Sequence, residues 1–299
     1  MAYTTTRAYL ELHLAVFLWG FTAILGDLID LSALTLVWWR VFLTSMSLLA
    51  FIRIGSLYRE VGWRKLLTLV GIGLLTGLHW VAFYGSIKLA NASIALICMA
   101  TTSLFSSLLE PLIVRSPFRW YELLLGVAIL PGIWLVVDGS ADSMNLGIMV
   151  GLVSAFLAAL FTNLNKRYMG DTDALRVTFV ELGGATVFLA LLLPFFGTEP
   201  FWPDREIDWV YLLTLALLCT TLTYVLSLRA LRKLSAFATN LTINLEPVYG
   251  IFLAYFLLND AQELTPSFYL GTLIIMLAVF GYAGINRYLR RRTTSHKAV

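Results

Sequence analysis

Long apolar runs, separated by short polar breaks, repeat along the whole chain. Dividing the sequence at charges and turn residues gives runs near 10–28, 33–52, 66–87, 91–113, 119–137, 146–165, 174–196, 208–228, 236–258 and 266–286. A span through hydrocarbon needs about 20 mainly apolar residues, and most of the breaks are too short to hold a soluble domain. A segment inside a bilayer must satisfy its backbone groups internally, so each run predicts a helix. The expected fold class is all-α integral membrane, with ten transmembrane helices.

Composition agrees. The 299 residues are 59% hydrophobic and 13% charged, against about 25% charged in a typical soluble domain. The stretch before Asp27 has one arginine and no small-residue cleavage site, which reads as a retained first span rather than a signal peptide. Cys98 and Cys219 lie inside apolar runs without metal-ligand or redox spacing and read as packing residues. No phosphate loop, zinc pattern or nucleic-acid patch appears, so no cofactor, metal or nucleic-acid partner is expected.

Lysine and arginine then set the orientation. With the N-terminus in the cytoplasm, 18 of the 21 fall in cytoplasmic segments, and only Lys88, Arg205 and the intraspan Arg40 do not. This bias predicts a multi-pass protein of the cell (inner or plasma) membrane with both termini inside. The basic tail, 291–299, reads as an anchor on the anionic inner leaflet. The 197–207 loop is the expected external cap.

The halves 1–138 and 144–290 correspond at offsets of 140 to 145: Ser86-Ile87-Lys88 falls on Ser227-Leu228-Arg229, and Leu125-Gly126 on Leu270-Gly271. Five spans in each half force the second to cross in the opposite sense, the inverted-repeat signature of alternating-access carriers. Several short motifs carry a further likeness. These are Leu18-Trp19-Gly20, Leu36–Arg40, Ala230-Leu231 with Leu234-Ser235, Leu245-Glu246-Pro247-Val248, and Gly271. Together they resemble the EamA branch of the drug/metabolite transporter superfamily over nearly the whole chain, with Asn259-Asp260 standing where that family usually has Gly-Glu. The resemblance implies export or exchange of small metabolites, often amino acids, through a central cavity between the repeats.

Residues that are costly to bury mark the candidate site. Glu246 sits near the middle of the ninth run, roughly 15 to 20 Å from either end at about 1.5 Å per residue. An ionisable group there is by default a functional hypothesis. Arg40 lies about seven residues into the second span, where a guanidinium could grip a carboxylate or phosphate, or snorkel or pair internally and merely lock two helices. Its counterpart in the other half is Glu181, with no direct Arg40–Glu181 bond expected. His79 and Trp80, with Phe83 and Tyr84 one turn on, form a candidate substrate wall or an interfacial aromatic belt. Trp19 lies mid-span, where a belt does not explain it. Thr239, Thr242 and Glu246 share one face of the ninth helix, and Asn240 and Asn244 a neighbouring one.

Glu110 closes a polar stripe with Ser103, Ser106 and Ser107 near the cytoplasmic surface, and Asn163 and Asn165 read as a cytoplasmic cap. Substrate binding is expected from Trp19, Arg40, His79, Trp80, Tyr84, Asn240, Asn244 and Glu246. Coupling or gating, with a proton as the candidate ion, is expected from Glu246, His79, Glu181 and Glu110. Competing readings are a carrier of anionic sugar or phosphate compounds, which would want further buried cations, and an intramembrane enzyme, which would want its acids at one depth.

Overall fold

The computed structural model describes residues 3–128, 130–131, 142–196, 200–246 and 248–249, and single helical positions at 270, 273, 274, 277 and 281. The C-terminal part of the ninth predicted span, most of the tenth, Gly271, Asn259-Asp260 and the basic tail lie outside the described residues, as do parts of the fifth span and of the 197–207 loop.

All regular structure among the described residues is helical. The helices are α1 (Thr5–Leu28), α2 (Ala33–Leu49), α3 (Ile54–Val61), α4 (Trp63–Leu89), α5 (Ala92–Met99), α6 (Thr102–Val114), α7 (Trp120–Ala128), α8 (Asn145–Tyr168), α9 (Ala174–Phe196), α10 (Glu206–Ala216), α11 (Thr223–Leu231) and α12 (Ala236–Ile243). A π-helical stretch, Leu217–Leu222, joins α10 to α11 into one continuous rod. Among the described residues, six segments are long and apolar enough to cross a membrane, and the shorter α2 is also apolar.

Several ends are fixed by side chains that satisfy first-turn N–H groups, as preferred cap residues do. Thr4 accepts from Arg7 N, Ser32 from Thr35 N, Asn91 from Ile94 N and Ser235 from Ala238 N. α3 is an additional short helix inside the second polar break. It carries Ile54 and Tyr58 exposed, with the basic Arg59 beside them.

The fourth span is broken at Ala100–Thr101 between α5 and α6, and the ninth turns at Asn244–Leu245 after α12. These breaks are 144 residues apart, within the offsets relating the two halves. The halves interlock: α4 packs on α8 and α9, α2 on α9, and α1 on α11. One approach has no slack. A Cβ on Gly73 of α4 would fall on the carbonyl oxygen of Glu181 in α9, so the two backbones touch.

Candidate functional site

The helix packing buries many polar side chains, and those of α1, α2, α4, α6, α8, α11 and α12 converge on one central cavity. The cavity has a volume of about 70 Å³. A metabolite-sized pocket is roughly 300 Å³ or more, so loading one requires these walls to move apart.

Arg40 is 1% exposed and projects from α2 toward the π-helical stretch. Its Nε donates to Thr220 Oγ1 at 2.6 Å, Nη1 to Tyr84 OH at 2.8 Å and Nη2 to the Cys219 carbonyl at 3.3 Å. The guanidinium carbon lies 4.1 Å from the centre of the Trp80 ring, a cation–π geometry. The wider π turn makes this possible. Thr220 and Thr221 donate to carbonyls five residues back, on Leu215 and Ala216, and Thr44 of α2 also donates to Ala216 O. Such single π turns recur at functional sites. The sequence reading missed this feature; the cluster Thr220-Thr221-Leu222-Thr223 was its available signal, because threonine hydroxyls compete for helix carbonyls.

Glu246 lies on the same cavity, 7% exposed. Thr22 Oγ1 is 3.3 Å from Glu246 Oε1 and 2.7 Å from the Trp19 carbonyl, and its one proton must serve both acceptors. The ion pairs among the described residues are Arg7–Glu11, Arg119–Glu122, Arg176–Glu60, Arg205–Asp208 and Arg229–Glu11. None contains Arg40 or Glu246, so the cavity holds a cation and an acid that are not paired with each other.

His79 joins α4 to α8: its Nδ1 is 2.9 Å from both the hydroxyl and the carbonyl of Ser154, and Ser154 Oγ donates to the His79 carbonyl. Glu181 is fully buried behind the wall. Its Oε2 accepts from Tyr224 OH at 2.6 Å and from Asn165 Nδ2 at 3.2 Å, and Tyr224 OH contacts Thr76 Oγ1 at 3.2 Å.

Trp19, Arg40, His79, Trp80, Asn240 and Glu246 thus all line the cavity. Four other candidates do not, Glu181 behind the wall being one of them. Tyr84 stands behind, orienting Arg40, with its ring against Gly26 of α1. Asn244 turns away to donate to Ser103 Oγ at 3.0 Å. Glu110 accepts from Phe237 N at 2.7 Å, capping the first turn of α12. The break after Ile243 explains the ninth span: Asn240 and Glu246, placed on different faces of an unbroken helix, both reach the cavity. Asn165, read as part of a cytoplasmic cap, lines it too.

Both ends of the bundle are tied. At one, Lys166 Nζ donates to the Leu231 and Leu234 carbonyls at 2.7 Å, a cation at a helix C-terminus. At the other, Lys88 donates to Ile29 O and Arg205 to Leu28 O. Trp39 Nε1 there donates to Phe201 O amid Trp38, Trp202 and Trp209. The two cations that broke the inside bias of the sequence therefore both hold the end of α1.

The sequence profile of the EamA-like transporter family matches residues 6–138 and 145–284. The chain belongs to this family. Relatives of this EamA chain include the uncharacterized transporter YdfC of Bacillus subtilis (strain 168), 23% identical over 295 residues, covering 95% of the chain and 93% of YdfC. A second is the uncharacterized transporter YxxF of the same organism, 23% identical over 260 residues, 83% of the chain and 81% of the relative. An uncharacterized transporter of Helicobacter pylori (strain J99 / ATCC 700824) is 27% identical over 164 residues, covering 52% of the chain and 53% of the relative. A solved structure described only as the crystal structure of a protein superposes with TM-score 0.73 at 16% identity, covering 95% of this chain and 99% of that one, which shows a shared fold. The chain is a multi-pass membrane protein of a transporter family, with a small-molecule substrate as that membership implies.

Proposed function

We propose that this chain is a secondary carrier, an exporter or exchanger, for small amphiphilic metabolites, amino acids foremost. It works by alternating access between two inverted five-helix repeats, 1–138 and 144–290. Ten helices span the cell membrane and both termini are cytoplasmic. One observation carries the substrate class: Arg40 and Glu246 face one cavity without pairing with each other, and the rings of Trp19, Trp80, Phe161 and Tyr224 line it too. A zwitterion with an apolar side chain matches that layout, its carboxylate toward Arg40, its ammonium toward Glu246 and its side chain on the rings. Thr220, Tyr84 and Cys219 hold the guanidinium by three of its donors and leave the others for a ligand. Glu246, with His79, biases the opening by its charge.

Counterflow in proteoliposomes tests this, loading one unlabelled amino acid at a time and following its labelled form with and without a pH gradient. Wild type is expected to exchange saturably. Glu246→Gln keeps the shape and removes the charge, and is expected to lower exchange about tenfold or more, the loss of roughly one charged hydrogen bond, and to flatten its pH dependence. Unchanged exchange and pH response would make Glu246 structural. Absence of exchange across a broad amino-acid panel, with the protein folded, would move the substrate to anionic sugars or phosphates.

A further inference from the structure

Hydrogen bonding in the bundle interior is lopsided. Among the described residues, the buried side-chain atoms that make no hydrogen bond within the protein include Thr102 Oγ1, Asn163 Oδ1, Asn165 Oδ1, Glu181 Oε1, Asn240 Oδ1 and Asn244 Oδ1. The donors in the same condition are Asn240 Nδ2, Trp38 Nε1 and the Thr102 hydroxyl itself. A buried acceptor left without a donor costs about 1–3 kcal/mol. Such an excess of oxygen points to a ligand that brings positive charge.

Three of these oxygens belong to Thr102 of α6 and to two asparagines bonded to serines on the same helix. Asn163 of α8 donates Nδ2 to Ser106 Oγ at 3.0 Å, and Asn244, just after α12, donates Nδ2 to Ser103 Oγ at 3.0 Å. Ser103 and Ser106 are one helical turn apart, where Cβ atoms lie about 5–6 Å from each other. Thr102 precedes Ser106 by four residues and shares its side. The amide nitrogens are engaged, that of Asn163 also with the Ala159 carbonyl at 2.8 Å, so the carbonyl oxygens are the unengaged ends. Thr102, Asn163 and Asn244 are at most 1% exposed. Asn163 and Asn244 do not line the central cavity, so a ligand on their oxygens is separate from the organic substrate.

α5 ends at Met99 and α12 at Ile243, so the negative ends of two helix dipoles arrive at the two breaks, beside the positive ends where α6 begins and where helix resumes at Glu246. Broken helices that meet at mid-membrane use their C-terminal ends and side-chain oxygens to hold coupling cations. Hard neutral oxygens suit a hard ion, and Glu246 follows Asn244 by two residues. We propose that this seam binds one dehydrated monovalent cation of sodium size through Thr102 Oγ1, Asn163 Oδ1 and Asn244 Oδ1. Thr102 also lines the central cavity, so the ion and the organic substrate share one side chain. The proposal is independent of which metabolite is carried.

The test is thermal unfolding of the purified full chain in lipid nanodiscs with sodium, potassium or choline chloride at equal ionic strength. Sodium is expected to raise the unfolding temperature saturably above the other two. Thr102→Val removes a hydroxyl that bonds nothing in the protein, so it folds as wild type. It should need at least about tenfold more sodium for the same shift, the loss typical when the shell of a metal site is cut. Asn163→Leu should do the same, and if it does not fold, Thr102→Val decides alone. Equal stabilisation by all three salts, or an undiminished sodium response in Thr102→Val, would overturn the site and leave water as the partner of these oxygens. Counterflow in sodium-free potassium medium separates the two readings: exchange without any sodium effect removes the cation site and keeps the carrier, and a sodium response without exchange does the reverse.

Discussion

Arg40→Met is expected to leave the protein folded and to reduce exchange of any carboxylate-bearing substrate by about 100-fold or more, near 3 kcal/mol at 1.4 kcal/mol per tenfold. The split follows from its partners. The guanidinium is buried among a threonine hydroxyl, a tyrosine hydroxyl and a carbonyl, with a tryptophan face beneath it. None is an anion, so no buried counter-ion is left unpaired when the charge goes; the Tyr84 hydroxyl loses its partner, at about 1–3 kcal/mol, and the fold is expected to absorb that. Methionine also fills irregular space readily. What it cannot supply is a fork of donors to a carboxylate. Arg40→Lys keeps the charge but cannot span Thr220, Tyr84 and Cys219 at once, and should fall between the two. Unfolding temperature and counterflow measured on the same three preparations check this. Wild-type exchange by Arg40→Met would show that the arginine only ties α2 to the π turn.

The second large effect concerns two glycines two residues apart on α4. Gly73→Ala places a methyl group on the Glu181 carbonyl oxygen and within 2.6 Å of its Cα. Backbone cannot rotate aside as a side chain can, so α4 and α9 must separate. The expected cost is roughly 1–3 kcal/mol or more, with Glu181 shifted off Tyr224 and Asn165 and exchange reduced. Gly71→Ala meets nothing within 4 Å, and should raise stability by about 1 kcal/mol through helix propensity. Opposite shifts in unfolding temperature are the expected result. Equal shifts would mean that the contact at Gly73 is not tight in the folded protein.

Much of the helical frame is legible in the run lengths. The predicted spans 66–87 and 146–165 lie within α4 and α8, and 174–196 coincides with α9, because burial in hydrocarbon is a local demand that each segment answers alone. α3 escapes that reading because it lies in a polar break, where no apolar run marks it. The candidate site is legible for the same reason at six positions. Trp19, Arg40, His79, Trp80, Asn240 and Glu246 are costly or bulky groups far from a span's end, and such groups turn to the protein interior. Tyr84 and Asn244 were drawn by the same rule and Glu110 by its place in a polar stripe, yet the interior of a bundle is larger than its cavity. They serve Arg40, Ser103 and the first turn of α12 instead.

Sequence by itself determined that this is a polytopic helical membrane protein, where six spans fall among the described residues and which buried polar groups need an explanation. Those properties depend on residue type and spacing along one segment. Only the tertiary structure decided which groups meet. Arg40 finds Thr220 and Cys219 at separations of 180 and 179 residues, across a π turn that no periodicity announces. Asn240 and Glu246 share the cavity because a break after Ile243 interrupts the 3.6-residue repeat that would have separated them. Both outcomes depend on backbone irregularities stabilised by contacts between the two halves, and such contacts leave no local trace in the chain.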